Sequence, residues 1–205
     1  NPIPGEPDIQ TTNRISTPFN SNFADESFSA VGRFERTFGK IKASVRGNFY
    51  YLKFNQIVNG QQRVNESFTQ SYRTRLSTNF RNAPNVEIGY NLTINEYDQG
   101  GGRTKFFTNS PFINVDAYIL KSFTFRADYS YYNYRNEVET LNNYSFLDAS
   151  LAYQKKDSKW EYKLGVTNIL NTASLNQDNL NTLFTSTSEY FIQPRYVVFS
   201  IKYDL

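Results

Sequence analysis

Between Asn85 and Asp98 the chain reads NVEIGYNLTINEYD, with Val86, Ile88, Tyr90, Leu92 and Ile94 set against Glu87, Asn91, Thr93 and Asn95. A period of two is what a β-strand needs when one face meets an apolar medium and the other meets water, because successive side chains point to opposite faces. The same alternation recurs from one end of the chain to the other. It runs through 27–38, 41–54, 67–80, 85–98, 112–120, 123–132, 144–154, 159–171 and 196–205. These are about nine segments, typically roughly 10 to 14 residues long, against a usual strand length of about five or six. A strand crossing a bilayer at its tilt needs roughly 9 to 11 residues. Repetition at that length predicts an all-β, antiparallel transmembrane β-barrel wall.

Composition narrows the alternatives. Mean hydropathy is −0.62 and 39% of residues are hydrophobic, so no segment approaches the roughly 20 apolar residues of a membrane-spanning helix. Aromatic residues reach 17%, from 16 Tyr, 18 Phe and 1 Trp, and they fall mostly inside the alternating stretches, where pleated surfaces favour them. With no Cys and no His, disulfides, thiolate metal sites and imidazole general bases are all excluded. The net charge of +3 is spread along the strands rather than gathered into a stripe, which argues against a nucleic-acid partner. The opening NPIPGEPDIQ has neither Met nor the basic and apolar regions of a leader, so the sequence reads as a processed or partial product.

Connections sort by length. Residues 1–26, rich in Pro, Asn, Ser and Thr without a period, read as an extracellular loop or tail ahead of a barrel portion spanning 27–205. Links after Phe38, Phe80, Leu120 and Gln154 are short; those after Phe54, Asp98, Asn136 and Asn171 are longer and rich in Asn, Gly and Gln. Short turns on one side and longer loops on the other are the habit of outer-membrane barrels. Counted back from a periplasmic C-terminus, every short link falls on the periplasmic side. Phe38, Phe80, Phe123, Tyr153, Trp160 and Tyr203 then lie near those turns, where an interfacial aromatic girdle belongs.

The run KWEYKLGVTNILN, a polar loop and then QPRYVVFSIKYDL resemble the C-terminal barrel end of TonB-dependent outer-membrane transporters, in particular the barrel family common in Bacteroidetes. The likeness rests on Trp160, Glu161, Leu164, Val166, Asn168, Leu170 and Asn171, and on Pro194, Arg195 and Tyr196. It implies about nine C-terminal strands of a larger barrel of about 22, set in outer-membrane lipid. It further implies an upstream plug and the remaining strands, TonB engaged through an N-terminal part, and a surface lipoprotein or other outer-membrane complex subunits as partners. The function implied is active uptake of a nutrient such as an oligosaccharide, peptide or metal chelate. A barrel of the same ancestry that has become a structural or assembly partner is the rival reading. The terminal alternation Phe199, Ile201, Tyr203, Leu205 stands where such barrels carry the insertion signal.

Candidate site residues follow from the polar faces. Arg46, Arg73, Arg75, Glu87, Asp116, Arg126, Asp128, Asp148, Glu161 and Lys163 are expected to face the lumen, as are Arg33, Lys42 and Lys202, with opposite charges pairing across strands. Asn95, Tyr97, Tyr132 and Tyr134, with Asn133, are expected near the outer end as ligand contacts, whereas Tyr129 and Tyr131 fall on the lipid side. No catalytic set, metal site or cofactor is expected. Gln99–Arg103 (QGGGR) lacks the GK[ST] and helix of a phosphate loop. Leu175–Asn181 offers one carboxylate, Asp178, where calcium wants several, and Glu137 with Glu139 lacks a shaped cleft.

Overall fold

In a computed structural model, residues 24–58, 60–81, 83–98, 102–180 and 185–204 are described. They form β1 (Glu26–Phe38), β2 (Ile41–Val58), β3 (Gln61–Thr78), β4 (Asn85–Asp98), β5 (Arg103–Ile119), β6 (Phe123–Asn136), β7 (Thr140–Gln154), β8 (Trp160–Thr167), β9 (Ser174–Leu180), β10 (Thr185–Phe191) and β11 (Tyr196–Tyr203), with no helix among the described residues. Nine strands make one antiparallel sheet in the order β1-β2-β3-β4-β5-β6-β7-β8-β11, and β9 and β10 pair as a separate hairpin inserted before the last strand.

Register carries the alternation across the whole sheet. Phe34 lies opposite Val45, Leu76 opposite Ile88, Ile88 opposite Ile113, Ile113 opposite Tyr129, Tyr129 opposite Leu147, and Leu164 opposite both Leu151 and Phe199. One face is therefore apolar over nine strands, and it is uncovered: Phe34 is 65% exposed, Ile88 52% and Phe199 63%. The apolar run on β2 goes from Ile41 to Tyr51 and ends at Lys53; that on β4 goes from Val86 to Ile94 and ends at Glu96. On the same face beyond those ends, Lys53 pairs with Glu26 at 3.3 Å, and Glu96 pairs with Arg103 and Lys105 at 2.9 and 3.0 Å. An apolar band is thus closed on one side by ion pairs.

The molecule has almost no interior. Among the described residues no large side chain is fully buried, and the buried apolar ones are Phe106, Ala117 and Tyr134. A soluble sandwich would bury its apolar face against a second sheet; here no second sheet covers it among the described residues.

Several expectations need correction. The long links on one side of the sheet are largely strand: Gln56–Val58 pairs with Gln61–Arg63, β5 starts at Arg103, and β7 starts at Thr140. The side-to-side contrast therefore sits in strand length rather than link length, with β2 and β3 each reaching 18 residues. Polar residues suffice there because a hairpin keeps its ladder in water when both strands continue from an anchored sheet. The Asn-rich stretch after Asn171 is mostly the β9–β10 hairpin. Residue 26 belongs to β1, not to the leading loop. The last strand pairs with β8 alone among the described residues, and β1 with β2 alone. Leu205, residues 1–23 and most of the QGGGR loop lie outside the described residues.

Turn chemistry explains the tight ends. Gly39, with φ of 61°, turns β1 into β2, and Leu120 and Lys121 adopt positive φ between β5 and β6. Pro111 sits inside β5, where it lacks an N–H for the ladder; Ser110 and Pro111 drop out of the pairing with β6 while β4 stays in register.

Candidate functional site

The face opposite the apolar band is polar and divides into two zones. Nearer the turns at 39–40, 79–84, 120–122 and 155–159 it is charged. Register places Arg33, Arg46, Arg73 and Asn91 in one row, and Lys42, Ser77, Glu87, Asn114, Asp128 and Asp148 in another. The thirteen charged residues expected to face the lumen share this face.

Pairing within it is partial. Glu35 accepts from both Arg33 and Lys42, Arg75 meets Glu87 at 3.7 Å, and Arg126 Nε meets Asp116 Oδ1 at 2.8 Å. Asn114, with its amide turned to satisfy both ends, donates to Asp128 Oδ1 at 3.2 Å, and Asp148 accepts the backbone N–H of Asn168 at 2.7 Å. Glu161 stands opposite Lys202, which itself meets Asp204 at 2.9 Å; Lys163 stands opposite Ser200. Arg73 Nε donates to Asn91 Oδ1 at 2.8 Å, and Arg46 Nε to Asn48 Oδ1 at 3.3 Å.

Farther from those turns the same face is aromatic. Tyr97 meets Phe106 edge-on at 6.4 Å, and Phe106 stacks on Tyr134 at 5.6 Å. Tyr132 stacks on Tyr144 at 4.6 Å, and Tyr144 meets Phe146 edge-on at 5.5 Å. The rings run from β4 to β7 because each occupies a polar-face position of its strand. Beside them Asn95 accepts from Thr69 Oγ1 at 3.0 Å. Burial holds the hydroxyl of Tyr97 above its ordinary pKa; burial and then neighbouring Tyr132 do the same for Tyr144. Both hydroxyls remain protonated donors well into alkaline solution.

Asn95, Tyr97, Tyr132 and Tyr134 all fall in this zone. Asn133 does not: it lies on the opposite face, bonded to Asn109 at 3.4 Å. Sequence reasoning missed Phe106, Tyr144 and Phe146, although carrying the alternation through KFFTNSP and LNNYSF assigns each to the polar face. It also missed Phe112, whose ring covers Gly89 on the adjacent strand and lies 5.5 Å from the guanidinium of Arg75. Phe199, Ile201 and Tyr203 occupy the apolar face of β11, opposite Leu164, Tyr162 and Trp160. The side chains of Leu175–Asn181, that of Asp178 among them, lie outside the described residues.

The Asn positions of the TNILN run have a local role. Asn168 and Asn171 both adopt left-handed φ, 53° and 56°, which Asn tolerates better than other side chains. Asn168 is 2% exposed; its amide donates to Thr172 O at 2.9 Å and Gln193 O at 3.0 Å, and its oxygen accepts Thr172 N at 2.9 Å. Asn171 Oδ1 accepts Arg195 N at 3.2 Å, and Arg195 Nη1 returns to Ile169 O at 3.2 Å. These bonds tie the end of β8 to the start of β11 across the inserted hairpin.

No family model matches this sequence, and no curated protein matches it either. Among solved structures the chain is similar to OmpT, an outer membrane protein of Vibrio cholerae, with 11% identity and a TM-score of 0.49, over 86% of this chain and 55% of that one. The chain thus spans just over half the length of that protein.

Proposed function

We propose that this chain is one wall of a large bacterial outer-membrane β-barrel, its C-terminal strands, working in TonB-dependent uptake of a nutrient. The observation that carries the barrel reading is sidedness: nine adjacent strands expose one apolar face and one polar face. The apolar runs match the roughly 9 to 11 residues needed to cross hydrocarbon. The edges of β1 and β11 support further strands, because an unpaired backbone group in hydrocarbon costs several kcal/mol. In this reading the turn end is periplasmic, and the strand extensions and the β9–β10 hairpin stand outside. The polar face lines the lumen, with its aromatic zone toward the cell surface as the first contact for cargo.

The transport half of the proposal rests on the resemblance of 159–171 and 193–205 to TonB-dependent barrels. A plug, the remaining strands and a TonB-binding segment then belong upstream.

The membrane reading is tested by single cysteines, since the chain has none of its own. Protein carrying Lys163→Cys in phospholipid vesicles should react with a water-soluble maleimide, and Leu164→Cys should react only after detergent is added. Equal reactivity of the two in vesicles would sink it. Transport is tested on the intact protein from native outer membranes: mass several times 23.8 kDa with a plug and TonB-binding segment supports uptake. A native chain lacking both leaves a structural partner in an outer-membrane complex.

A further inference from the structure

The polar face is not evenly neutralised. Arg33 lies opposite Arg46, and Arg46 opposite Arg73, so three adjacent strands present a row of like charges. Such a row is self-repelling, and sheets ordinarily place an opposite charge or a neutral residue at such positions. Arg75 adds a fourth cation two residues along the same face. The two carboxylates nearby are already engaged: Glu35 by Arg33 and Lys42, and Glu87 by Arg75. Among the described residues neither Arg46 nor Arg73 has a carboxylate partner. Each uses its Nε on an asparagine, Asn48 or Asn91, which fixes the guanidinium without cancelling its charge. All four arginines line a single hollow of the polar face.

The acids that could have balanced them stand elsewhere. Asp116, Asp128 and Asp148 lie on β5, β6 and β7, where Arg126, Asn114 and the Asn168 backbone satisfy them. Asn91, not an acid, completes the arginine row on β4. The sheet therefore sorts its charges by strand and leaves the neutralisation of β2 and β3 to something outside it.

We infer that the Arg46 and Arg73 pair, flanked by Arg33 and Arg75, is a binding site for a small polyanion bearing two or more phosphate or carboxylate groups. Directly opposed residues have Cβ atoms about 4.5 to 5.5 Å apart, so two guanidinium forks rise from neighbouring positions toward one ligand, each fork able to bind two oxygens. This rests on the reading that the polar face lines a water-filled lumen, and it gives the cargo, or an anion carried with it, its charge class.

The test titrates tripolyphosphate and, separately, citrate into the intact protein in detergent at low ionic strength, followed by calorimetry. Binding is expected for at least one, which also decides between phosphate and carboxylate as the preferred group. Arg46→Gln and Arg73→Gln should each weaken it about tenfold or more. Arg46→Lys should weaken it severalfold, since it keeps the charge but not the fork. Lys105→Gln, which removes the same charge from the opposite face, should leave it unchanged. Raising salt from 0.1 M toward 1 M, which shortens the screening length from about 10 to 3 Å, should abolish it. No binding of either anion, or binding indifferent to both arginine substitutions, overturns the inference. If in addition those substitutions lower the unfolding midpoint, an acidic segment of the protein itself holds the row. The outcome is separable from the membrane reading, which the Lys163→Cys and Leu164→Cys comparison decides independently.

Discussion

Replacing Asn168 by alanine should damage this protein more than any other single change in its turns. Three side-chain hydrogen bonds vanish, two involving Thr172 and one to Gln193. A hydrogen bond is worth about 1 kcal/mol net, and a buried group left without a partner costs about 1–3 kcal/mol. Gln193 is exposed, so its carbonyl can turn to water; Thr172 is half-buried and cannot do so freely. A φ of 53° adds about 1 kcal/mol for alanine, which lacks the local bonding that lets Asn sit there. The sum is about 3–5 kcal/mol for Asn168→Ala, and about 1 kcal/mol less for Asn168→Gly, which escapes the backbone strain. Leu170→Ala, in the same turn but exposed, should stay within about 0.5 kcal/mol. Reversible urea unfolding in phospholipid vesicles, followed by tryptophan fluorescence, gives these differences from shifts in midpoint. An Asn168→Ala variant as stable as Leu170→Ala would refute the idea that this residue fastens β8 to β11. Equal losses for the glycine and alanine variants would refute the strain contribution alone.

Ile113→Lys, in the middle of the apolar face, should cost about 2–4 kcal/mol in vesicles, whereas Asn114→Lys, between Glu87 and Asp128, should stay within about 1 kcal/mol; unfolding midpoints compare the two. A Cβ on Gly89 would overlap the Phe112 ring, so Gly89→Ala should cost about 1–3 kcal/mol. Most of that loss should disappear when measured in a Phe112→Ala background, and strict additivity of the pair would contradict the contact. Phe106→Ala, which removes a ring 7% exposed and stacked on Tyr134, should destabilise by about 2–4 kcal/mol and free the Tyr97 hydroxyl to titrate nearer its ordinary value, read by absorbance near the phenolate band.

The faces of this sheet were legible in the sequence because a period of two leaves no freedom: once Ile88 faces one way, Glu87 must face the other. The same logic puts the charged candidates and Asn95, Tyr97, Tyr132 and Tyr134 on one face and Asn133 on the other. It failed where a single apolar residue, Val64 or Leu141, was too little to mark a pattern. The stretch from Gln61 to Asn65 and that from Thr140 to Asn143 pair through backbone bonds that their polar side chains do not advertise, so they read as loops. The aromatic zone was half seen, since Phe106 lies in 103–111, which read as a link, and Tyr144 and Phe146 sit on the polar side of a strand traced by its apolar residues. Asn168 and Asn171 could be seen as a motif but not understood as one. Their meaning depends on Gln193 and Arg195, which lie more than twenty residues away and meet them only through the inserted hairpin. Arg46 and Arg73 looked like members of a balanced wall until the register set one directly against the other.

A sheet in which no large side chain among the described residues is fully sealed from its surroundings has outsourced its interior. In the proposed membrane setting, the term that normally drives a chain to collapse in water, apolar area leaving solvent, is collected only when acyl chains arrive. Folding and insertion then become a single event, and the strand-length apolar runs turn bilayer thickness into a variable of the folding equilibrium. Shorter-chain or longer-chain lipids, at fractions of a kcal/mol per ångström of mismatch, would shift that equilibrium as a core mutation does in a soluble domain. In that same proposed setting, the aqueous route to the membrane offers such a chain no native state to fall into. Whatever keeps it from aggregating there must hold it unfolded, rather than help it fold.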